Sequence, residues 1–467
     1  MKAQTLLSLT SSVLLGLPIF KCEAAKKEKP INVIYILADD LGYGDIGCYG
    51  QEKIKTPNID RMAKNGMLFT QNYAGCTVSA PSRASLMTGL HTGHTQIRGN
   101  EEIDPEGQQP MTADTYTIGK LMHATGYTTG IFGKWGLGYP GSTSDPNSMG
   151  FDEFFGYNCQ RQAHSFYPDH LWHNKERVDL KENENNGRRI YSQDLIHEHG
   201  IQFIKDNKDK PFFAMLTYTL PHAELNLPHD SIYKMYENQF EEKPYYSKYG
   251  YYPSEKPKAS FAAMVTKLDF YVGQVLEELK RQGLDKNTLV IFSSDNGPHR
   301  EGGADPDFFK SYGPLKGVKR DVYEGGIRTP MIAWLPGKVQ AGTKTNQITA
   351  FWDILPTLSE LTKTKLPLKT DGISILPTLF SGKGQKQHKY LYWEFHEEGG
   401  RQAIRKGNWK AIRQHIVGGK PTFELYDLSK DIHEDNDVSA QFPQVAKEMK
   451  NLMDKARTES PIFKFGK

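Results

Sequence analysis

The sequence predicts an α/β fold with a large, mostly parallel sheet sandwiched by helices, followed by a small C-terminal antiparallel sheet. Two observations support this prediction. Continuous apolar runs alternate with helical patterns up to about residue 335, which is typical of buried parallel strands joined by helices. After about residue 385 the runs become short and are separated by turns, which is typical of antiparallel strands. A chain of 467 residues has room for one large domain and one small one.

The first 25 residues are expected to be a secretory signal peptide. Lys2 gives a basic start, residues 6–20 form a short apolar run, and residues 22–25 offer small side chains for cleavage. This run is too short to span a bilayer comfortably, and no other segment predicts a transmembrane helix. We therefore expect an exported protein that is periplasmic or secreted. A lipid anchor on Cys22 and a buried N-terminal helix are the alternatives.

The large domain is predicted to cover residues 26–384. Its predicted strands are residues 32–38, 128–132, 211–218, 288–293 and 331–335. A helix is expected to start near Pro57, because proline after a capping threonine suits the first helical position. Apolar residues at helical spacing predict a long amphipathic helix over residues 261–279. Residues 230–258 contain seven tyrosines and are predicted to be a surface insertion, with sugar stacking as an open alternative to simple packing.

The small domain is predicted to cover residues 385–467. Short β-type runs occupy residues 390–395, 402–405, 409–413 and 423–428, and residues 444–458 are expected to form a closing helix.

Charge and cysteine content exclude several classes of protein. The net charge is +3, from 58 basic and 55 acidic side chains, which gives no reason to expect nucleic acid or an anionic membrane as a partner. Of four cysteines, Cys22 falls in the signal segment. The odd number that remains (Cys48, Cys76 and Cys159) argues against a disulfide framework.

Acidic residues directly follow two of the predicted strands. Asp39 and Asp40 come after the first strand, and Asp295 and Asn296 come after the fourth. Since ligands of parallel sheets bind beyond the carboxyl ends of the strands, we expect these four side chains to lie together. Their oxygen atoms suit calcium or magnesium better than zinc.

Ser79 is the first residue of the segment Ser-Ala-Pro-Ser-Arg at 79–83, which lies in sequence between Asp39-Asp40 and Asp295-Asn296. Residues 82–87 resemble the start of a helix, whose positive end suits an anion, although a serine there is more often only a cap. A hydroxyl group beside a bound metal can act as a nucleophile. Lys134 and His222 also follow predicted strands, so the sequence predicts metal-assisted hydrolysis of an anionic ester.

These segments together resemble the type I sulfatases of the alkaline phosphatase superfamily, in particular bacterial glycan sulfatases. The family motif Cys/Ser-x-Pro-Ser-Arg matches residues 79–83. The other matching segments, in order, are Gly133-Lys134-Trp135, Pro221-His222, Asp295-Asn296-Gly297, and Lys319 shortly before Tyr323-Glu324-Gly325-Gly326. The resemblance runs from about Ile31 to the last helix.

The resemblance implies a role for each of these residues. A radical-type maturation enzyme would oxidise Ser79 to formylglycine, and Arg83 would hold the hydrated aldehyde. One calcium ion would be bound by Asp39, Asp40, Asp295, Asn296 and the modified Ser79. Lys134 and Lys319 would bind the sulfate oxygens, and His222 would protonate the leaving alcohol as general acid.

One position departs from the family pattern, which often reads Gly-Lys-Trp-His-Leu-Gly. Gly136 replaces the histidine in this chain, and His299 is one candidate to take over its role. Further residues expected to line the substrate cleft are Arg98, Asn100, His164 and His396.

By analogy with the bacterial enzymes, the expected substrate is a carbohydrate sulfate, such as a sulfated galactose or N-acetylgalactosamine. The alternatives are a phosphatase or phosphodiesterase of the same superfamily, and a glycan-binding homologue that has lost catalysis.

Overall fold

The computed structural model describes Met1 and residues 29–246 and 250–465. The predicted signal segment and Cys22 therefore lie outside the described residues. The helices described are all too short or too polar to serve as a transmembrane span.

The strands are numbered in chain order. They are β1 Asn32–Ala38, β2 Met67–Tyr73, β3 Glu102–Ile103, β4 Gly107–Gln108, β5 Thr128–Lys134, β6 Glu153–Tyr157, β7 His170–His173, β8 Glu176–Asp179, β9 Phe212–Thr217, β10 Thr288–Ser294, β11 Arg328–Trp334, β12 Thr343–Thr345, β13 Thr349–Ala350, β14 Leu391–Phe395, β15 Arg401–Lys406, β16 Trp409–Gln414 and β17 Thr422–Asp427.

The α-helices are numbered in the same way. They are α1 Pro57–Lys64, α2 Ser79–Thr88, α3 Ile118–Ala124, α4 Ser192–Asp206, α5 Ser231–Lys234, α6 Pro257–Arg281, α7 Pro306–Phe309, α8 Glu324–Ile327, α9 Ile354–Leu361, α10 Leu376–Phe380 and α11 Pro443–Lys455.

The large sheet has a parallel centre and antiparallel flanks. Its order is β12-β2-β11-β10-β1-β9-β5-β6-β7-β8, with β13 also paired to β2. The five central strands β10, β1, β9, β5 and β6 all run parallel. β11 is antiparallel to both of its neighbours, and β7 and β8 continue the other flank in antiparallel fashion. The predicted fold class, α/β with a mostly parallel sheet, is confirmed.

Both faces of this sheet are buried, which explains why its central strands read as continuous apolar runs. In β1, Ile34 and Ile36 contribute to the core on one face, whereas Val33 and Leu37 contribute to the core on the other. The long helix α6 covers the first face, and helices α2, α3 and α9 cover the second.

The small sheet is antiparallel, in the order β14-β15-β16-β17, and α11 packs against it. Its first strand lies against the segment that carries α2. The indole nitrogen of Trp393 donates to the Ala74 carbonyl at 2.9 Å, and the Glu394 amide donates to the Thr92 hydroxyl at 2.9 Å. The second sheet therefore backs the helix that begins at Ser79.

Glu394, in β14, forms a buried ionic junction between the small sheet and the loop after α2. Its Oε1 pairs with Arg98 at 2.8 Å and with His396 at 2.8 Å, and its Oε2 pairs with Arg457 at 2.7 Å. Burial alone would raise the pKa of this carboxyl, but the hydrogen bonds from His396 and Arg457, with the charge of Arg98, outweigh it and lower the pKa to about 2.

We expect Glu394→Gln to lower the free energy of unfolding at pH 7 by about 3–5 kcal/mol, because it leaves the buried guanidinium group of Arg98 without a counter-charge. A carboxyl whose pKa is lowered on folding stabilises the protein above its unfolded pKa. This contribution disappears as the pH falls from 4.5 to about 2, so the difference between the two proteins should narrow over that window. Urea unfolding at several pH values measures both effects.

Glu448→Gln is the matched control, because Glu448 forms an exposed pair with Lys406. It should change stability by less than about 1 kcal/mol. A similar loss in both variants would contradict the assignment of Glu394 as the junction.

Candidate active site

The predicted site residues meet at the carboxyl edge of the central strands. Asp39 and Asp40 follow β1, and Asp295 and Asn296 follow its parallel neighbour β10, with the strand ends Ala38 and Ser294 directly paired. The edge of a parallel sheet thus brings together four side chains from two segments that are about 256 positions apart in sequence. Lys134 ends β5, and His222 lies in the loop after β9.

Ser79 is the first residue of α2 and sits in one half of the site. Its hydroxyl donates to Asp39 Oδ1 at 3.1 Å, and the ammonium of Lys134 donates to Ser79 Oγ at 3.2 Å and to Asp39 Oδ2 at 2.7 Å. All three side chains are buried, and Ser79 is 2% exposed. A helix start and a buried ammonium group therefore face the hydroxyl oxygen, as an anion site requires.

Arg83 lies one turn further along α2 and closes this half of the site. Its Nε and Nη2 lie 3.1 and 3.0 Å from Asp295 Oδ2, and its Nη1 donates to the Lys134 carbonyl at 2.8 Å. The guanidinium group thereby fixes Asp295 and the end of β5 relative to the helix.

Lys319 occupies the other half of the site. Its ammonium nitrogen lies 2.9 Å from Asp40 Oδ2, 3.0 Å from Glu301 Oε2 and 3.1 Å from His222 Nε2. Burial alone would lower the pKa of Lys319, but Asp40 and Glu301 outweigh it and hold the pKa above its ordinary value. Lys319 is therefore a permanent cation beside His222.

His222 is a neutral imidazole in this arrangement. Its Nδ1 donates to the Ala223 carbonyl at 2.5 Å, which leaves Nε2 to accept from Lys319. Burial, and then the charge of Lys319, lower the pKa of His222 to about 4. Nε2 therefore carries no proton in this arrangement and must take one up before it can act as an acid.

The carboxylates respond to their surroundings in opposite directions. Burial would raise the pKa of Asp39, but Lys134 and Arg83 outweigh it and hold the pKa well below its usual range. Burial and the charge of Asp39 raise the pKa of Asp295.

The donor set fits a hard cation. The possible ligand atoms are all oxygens, from Asp39, Asp40, Asp295 and Asn296. The amide nitrogen of Asn296 donates to Asp40 Oδ1 at 2.6 Å. Asn296 Oδ1 is buried and has no hydrogen-bond partner within the part of the chain described. A buried acceptor without a donor is costly unless a bound group satisfies it, so the residues present fit a calcium or magnesium ion.

Two of the predicted substrate residues lie beside His222. The His164 ring stacks on it with centroids 5.1 Å apart, and the His299 ring lies 5.8 Å away. Both ring nitrogens of His299 are engaged, Nε2 with the Pro221 carbonyl at 3.0 Å and Nδ1 with the Glu301 amide at 3.1 Å. His299 thus supports the loop rather than offering a free nitrogen in place of the family histidine.

The predicted substrate role of Arg98 needs correction. Its guanidinium group is buried and donates to Glu394 and to the Thr458 carbonyl, so it joins the loop after α2 to β14 and to the segment after α11. His396 is likewise turned toward Glu394 and stacks on Phe465, with centroids 4.1 Å apart.

Asn100 has a local role, because its side-chain oxygen accepts from the Ala80 amide at 3.0 Å, next to Ser79. It therefore steadies the backbone that presents the Ser79 hydroxyl.

Gly136 departs from the family pattern for a structural reason. Its φ is +75°, and a Cβ at this position would lie 2.3 Å from Nε2 of Gln160. A histidine would be strained in this left-handed backbone conformation, and its side chain would need the space that the buried Gln160 side chain fills.

Sequence reasoning missed Glu301 and Tyr251. Glu301 lies in the loop after β10 and binds both Lys319 and Arg320, the latter at 2.6 Å. The Tyr251 hydroxyl donates to Glu301 at 3.1 Å, and its ring lies 5.3 Å from that of His164. The position of Glu301 soon after Asp295 was the available signal, whereas nothing in the tyrosine-rich insertion distinguishes Tyr251 from its neighbours.

Comparison with known proteins identifies the family. The family model described as Sulfatase matches residues 31–364, and the model described as N-sulphoglucosamine sulphohydrolase, C-terminal, matches residues 318–459. An N-acetylgalactosamine-6-O-sulfatase of Bacteroides thetaiotaomicron is 29% identical, and the match covers 94% of this chain and 95% of that protein. An N-acetylgalactosamine-6-sulfatase of Rattus norvegicus is 32% identical over 77% of this chain and 67% of its own length.

A solved structure is similar over most of its length as well. The crystal structure of Ps i-CgsB in complex with k-i-k-neocarrahexaose has a TM-score of 0.78 and 30% identity, covering 93% of this chain and 95% of that one. The family models and these relatives define a hydrolase. The chain belongs to the sulfatase family and is a sulfuric ester hydrolase.

Proposed function

We propose that this protein hydrolyses sulfate esters on carbohydrates, with sulfated galactose or N-acetylgalactosamine as the preferred sugar. The observation that carries the proposal is the contact of Ser79 Oγ with both Asp39 and Lys134 at the edge of an oxygen-rich metal site. The sugar class is supported by the two relatives named as N-acetylgalactosamine-6-sulfatases and by the structure solved with a neocarrahexaose.

Two additions to the chain complete the proposed site. Asp39, Asp40, Asp295 and Asn296 would hold one calcium ion, which would supply positive charge beside the sulfate ester. A maturation enzyme would oxidise Ser79 to formylglycine. One hydroxyl of its hydrate would attack sulfur as the bond from sulfur to the sugar oxygen breaks. The second hydroxyl would then lose its proton as the aldehyde reforms and the C–O bond to sulfate breaks.

The remaining side chains bind the substrate and move protons. Lys134 and Lys319 hold the sulfuryl oxygens, where fixed donors are worth about 3–4 kcal/mol each in comparable sites. His222 Nε2 lies 3.1 Å from the Lys319 ammonium. The negative charge of the bound sulfate ester favours protonation of Nε2, which then delivers this proton to the departing sugar oxygen. Arg83 keeps Asp295 ionised and in place through its contact at 3.0 Å.

The metal site is tested with Asp295→Asn, which keeps the shape of the side chain and its acceptor for the Asp40 amide. In either variant Arg83 loses the charge of Asp295 and keeps Asp39, 3.4 Å away, as its counter-charge. Asp295→Ala is less suitable, because it would also remove the acceptor of the Asp40 amide. We expect the wild-type protein to contain one calcium ion per chain. The variant should lose that calcium ion and should no longer release sulfate from a sulfated N-acetylgalactosamine. Elemental analysis and a sulfate-release assay measure the two results.

Asp209→Asn is the control, because Asp209 is exposed and precedes β9, at the edge of the sheet opposite to the site. It should keep both the metal and the activity. Near wild-type turnover by Asp295→Asn, or two stoichiometric zinc ions in the purified protein, would contradict the site assignment. Faster hydrolysis of the matching sugar phosphate would instead favour a phosphatase.

A further inference from the structure

A cleft of about 470 Å³ adjoins the proposed active site, on the side of His222 where the sugar would leave. Its wall nearest the site consists of His164 and Tyr251, both of which pack against the His222 ring. Its far wall carries Tyr167, Arg188 and Tyr252. A glycan whose ester oxygen lies at His222 therefore has a place in this cleft for its neighbouring sugar.

Arg188 is held in one orientation between two aromatic rings. Its guanidinium carbon lies 3.7 Å from the centroid of Tyr252 and 4.5 Å from that of Tyr167. Stacking between rings fixes the plane of a guanidinium group and lowers the entropy cost of each hydrogen bond that it then makes.

Only one side of this guanidinium group is used by the protein. Nη2 pairs with Glu224 Oε1 at 3.0 Å, and Glu224 is itself buried beneath the cleft, where it also accepts from the Phe166 amide at 2.9 Å. Across the described chain, Nε and Nη1 of Arg188 have no acceptor. The side chain is 17% exposed, so these donors remain accessible from the cleft.

The other arginine of the cleft already has two carboxylate partners, whereas Arg188 has one, Glu224, which also lines the cleft. Arg161 lies on the rim, 47% exposed, with Asp104 at 3.3 Å and Glu102 at 3.6 Å. Arg188 is thus the oriented cation whose donors are directed to a ligand.

We propose that Arg188 binds an anionic group, a carboxylate or a second sulfate, on the sugar next to the one that carries the scissile ester. The planar fork of an arginine matches both anions. This inference rests on the proposed function and narrows it to glycans that carry more than one negative charge.

The test compares three disaccharides that share the same sulfated sugar and differ in its neighbour. The neighbour is a neutral sugar in the first, a uronic acid in the second and a second sulfated sugar in the third. Wild-type enzyme should have a lower KM for at least one of the charged disaccharides than for the neutral one. Arg188→Ala should raise that KM by about 10- to 100-fold and leave kcat unchanged. This factor is the loss of affinity expected when one hydrogen-bonded ion pair with the substrate is removed. The charged neighbour that shows the effect identifies the anion.

The control substrates and variants separate recognition from structure. Arg188→Ala should hydrolyse the neutral disaccharide and nitrophenyl sulfate like the wild type, and Arg189→Ala, an exposed neighbour, should behave like the wild type on all substrates. Equal KM values of the wild type for all three disaccharides would overturn the proposal. A loss by Arg188→Ala that is the same on nitrophenyl sulfate would overturn it as well.

Binding to the Ser79→Ala protein, measured by calorimetry, does not depend on turnover. If the charged disaccharides bind more tightly than the neutral one and Arg188→Ala abolishes the difference, the anion site stands even where no sulfatase activity is found. If the charged and neutral disaccharides bind equally well, while the matured wild-type enzyme hydrolyses nitrophenyl sulfate, the anion site is overturned and the proposed function stays intact.

Discussion

Fully active enzyme is expected to contain Ser79 as formylglycine, so that the peptide spanning residues 79–83 is lighter by about 2 Da, the mass of two hydrogens. An unmodified serine has a single hydroxyl and is a poor nucleophile toward sulfate. Protein made without a radical-type maturation enzyme should therefore be almost inactive, and Ser79→Ala should lose activity by a factor on the order of 10⁶, as when other enzymes lose a nucleophile. Peptide mass spectrometry and sulfate release measure the two results.

The same chain made with and without the maturation enzyme is the closest control, since the two proteins differ only at Ser79. Both should bind calcium and unfold at the same temperature. Full activity in a preparation whose Ser79 is unmodified would refute the proposed nucleophile.

The effect of His222→Ala should depend on the leaving group. A departing sugar oxygen needs a proton, so hydrolysis of a sugar sulfate should fall by roughly 10²–10⁴-fold, the usual contribution of a general acid. A nitrophenolate leaves without that help, and the loss on nitrophenyl sulfate should be clearly smaller. Measuring kcat/KM for both substrates decides this.

Lys134→Ala is the matched comparison, because Lys134 is the proposed ligand of the sulfuryl group that both substrates share. Its losses on the two substrates should be similar. Equal losses for His222→Ala would make that histidine a sulfate ligand and leave the acid unassigned.

The parts of the fold that could be predicted are those where burial imposes a clear pattern. The predicted strand at residues 32–38 agrees with β1, because both of its faces are covered and every residue is apolar or nearly so. β2 was missed, since Thr70, Gln71 and Asn72 interrupt its apolar pattern. The antiparallel direction of β11 was also not predicted, because direction depends on the path of the connections, which periodicity does not record.

The site could be predicted where residues follow strands, and not where they come from loops. Asp39, Asp295 and Lys134 lie together because the sheet aligns the strand ends. Arg98 was assigned to the substrate on its polarity alone, but its partner Glu394 is almost 300 positions away in sequence. Tyr251 and Arg188 reach the cleft from insertions whose course only tertiary packing decides.

The burial of Ser79 has a consequence for the order of events in the cell. At 2% exposure, beneath Lys134 and backed by the C-terminal sheet, this side chain is out of reach of another enzyme once the chain has folded. The proposed oxidation would then have to precede folding, on a chain still extended enough to enter a second active site. A protein folded too early would be permanently inactive although structurally complete, so the yield of working enzyme would be set by a race between modification and folding.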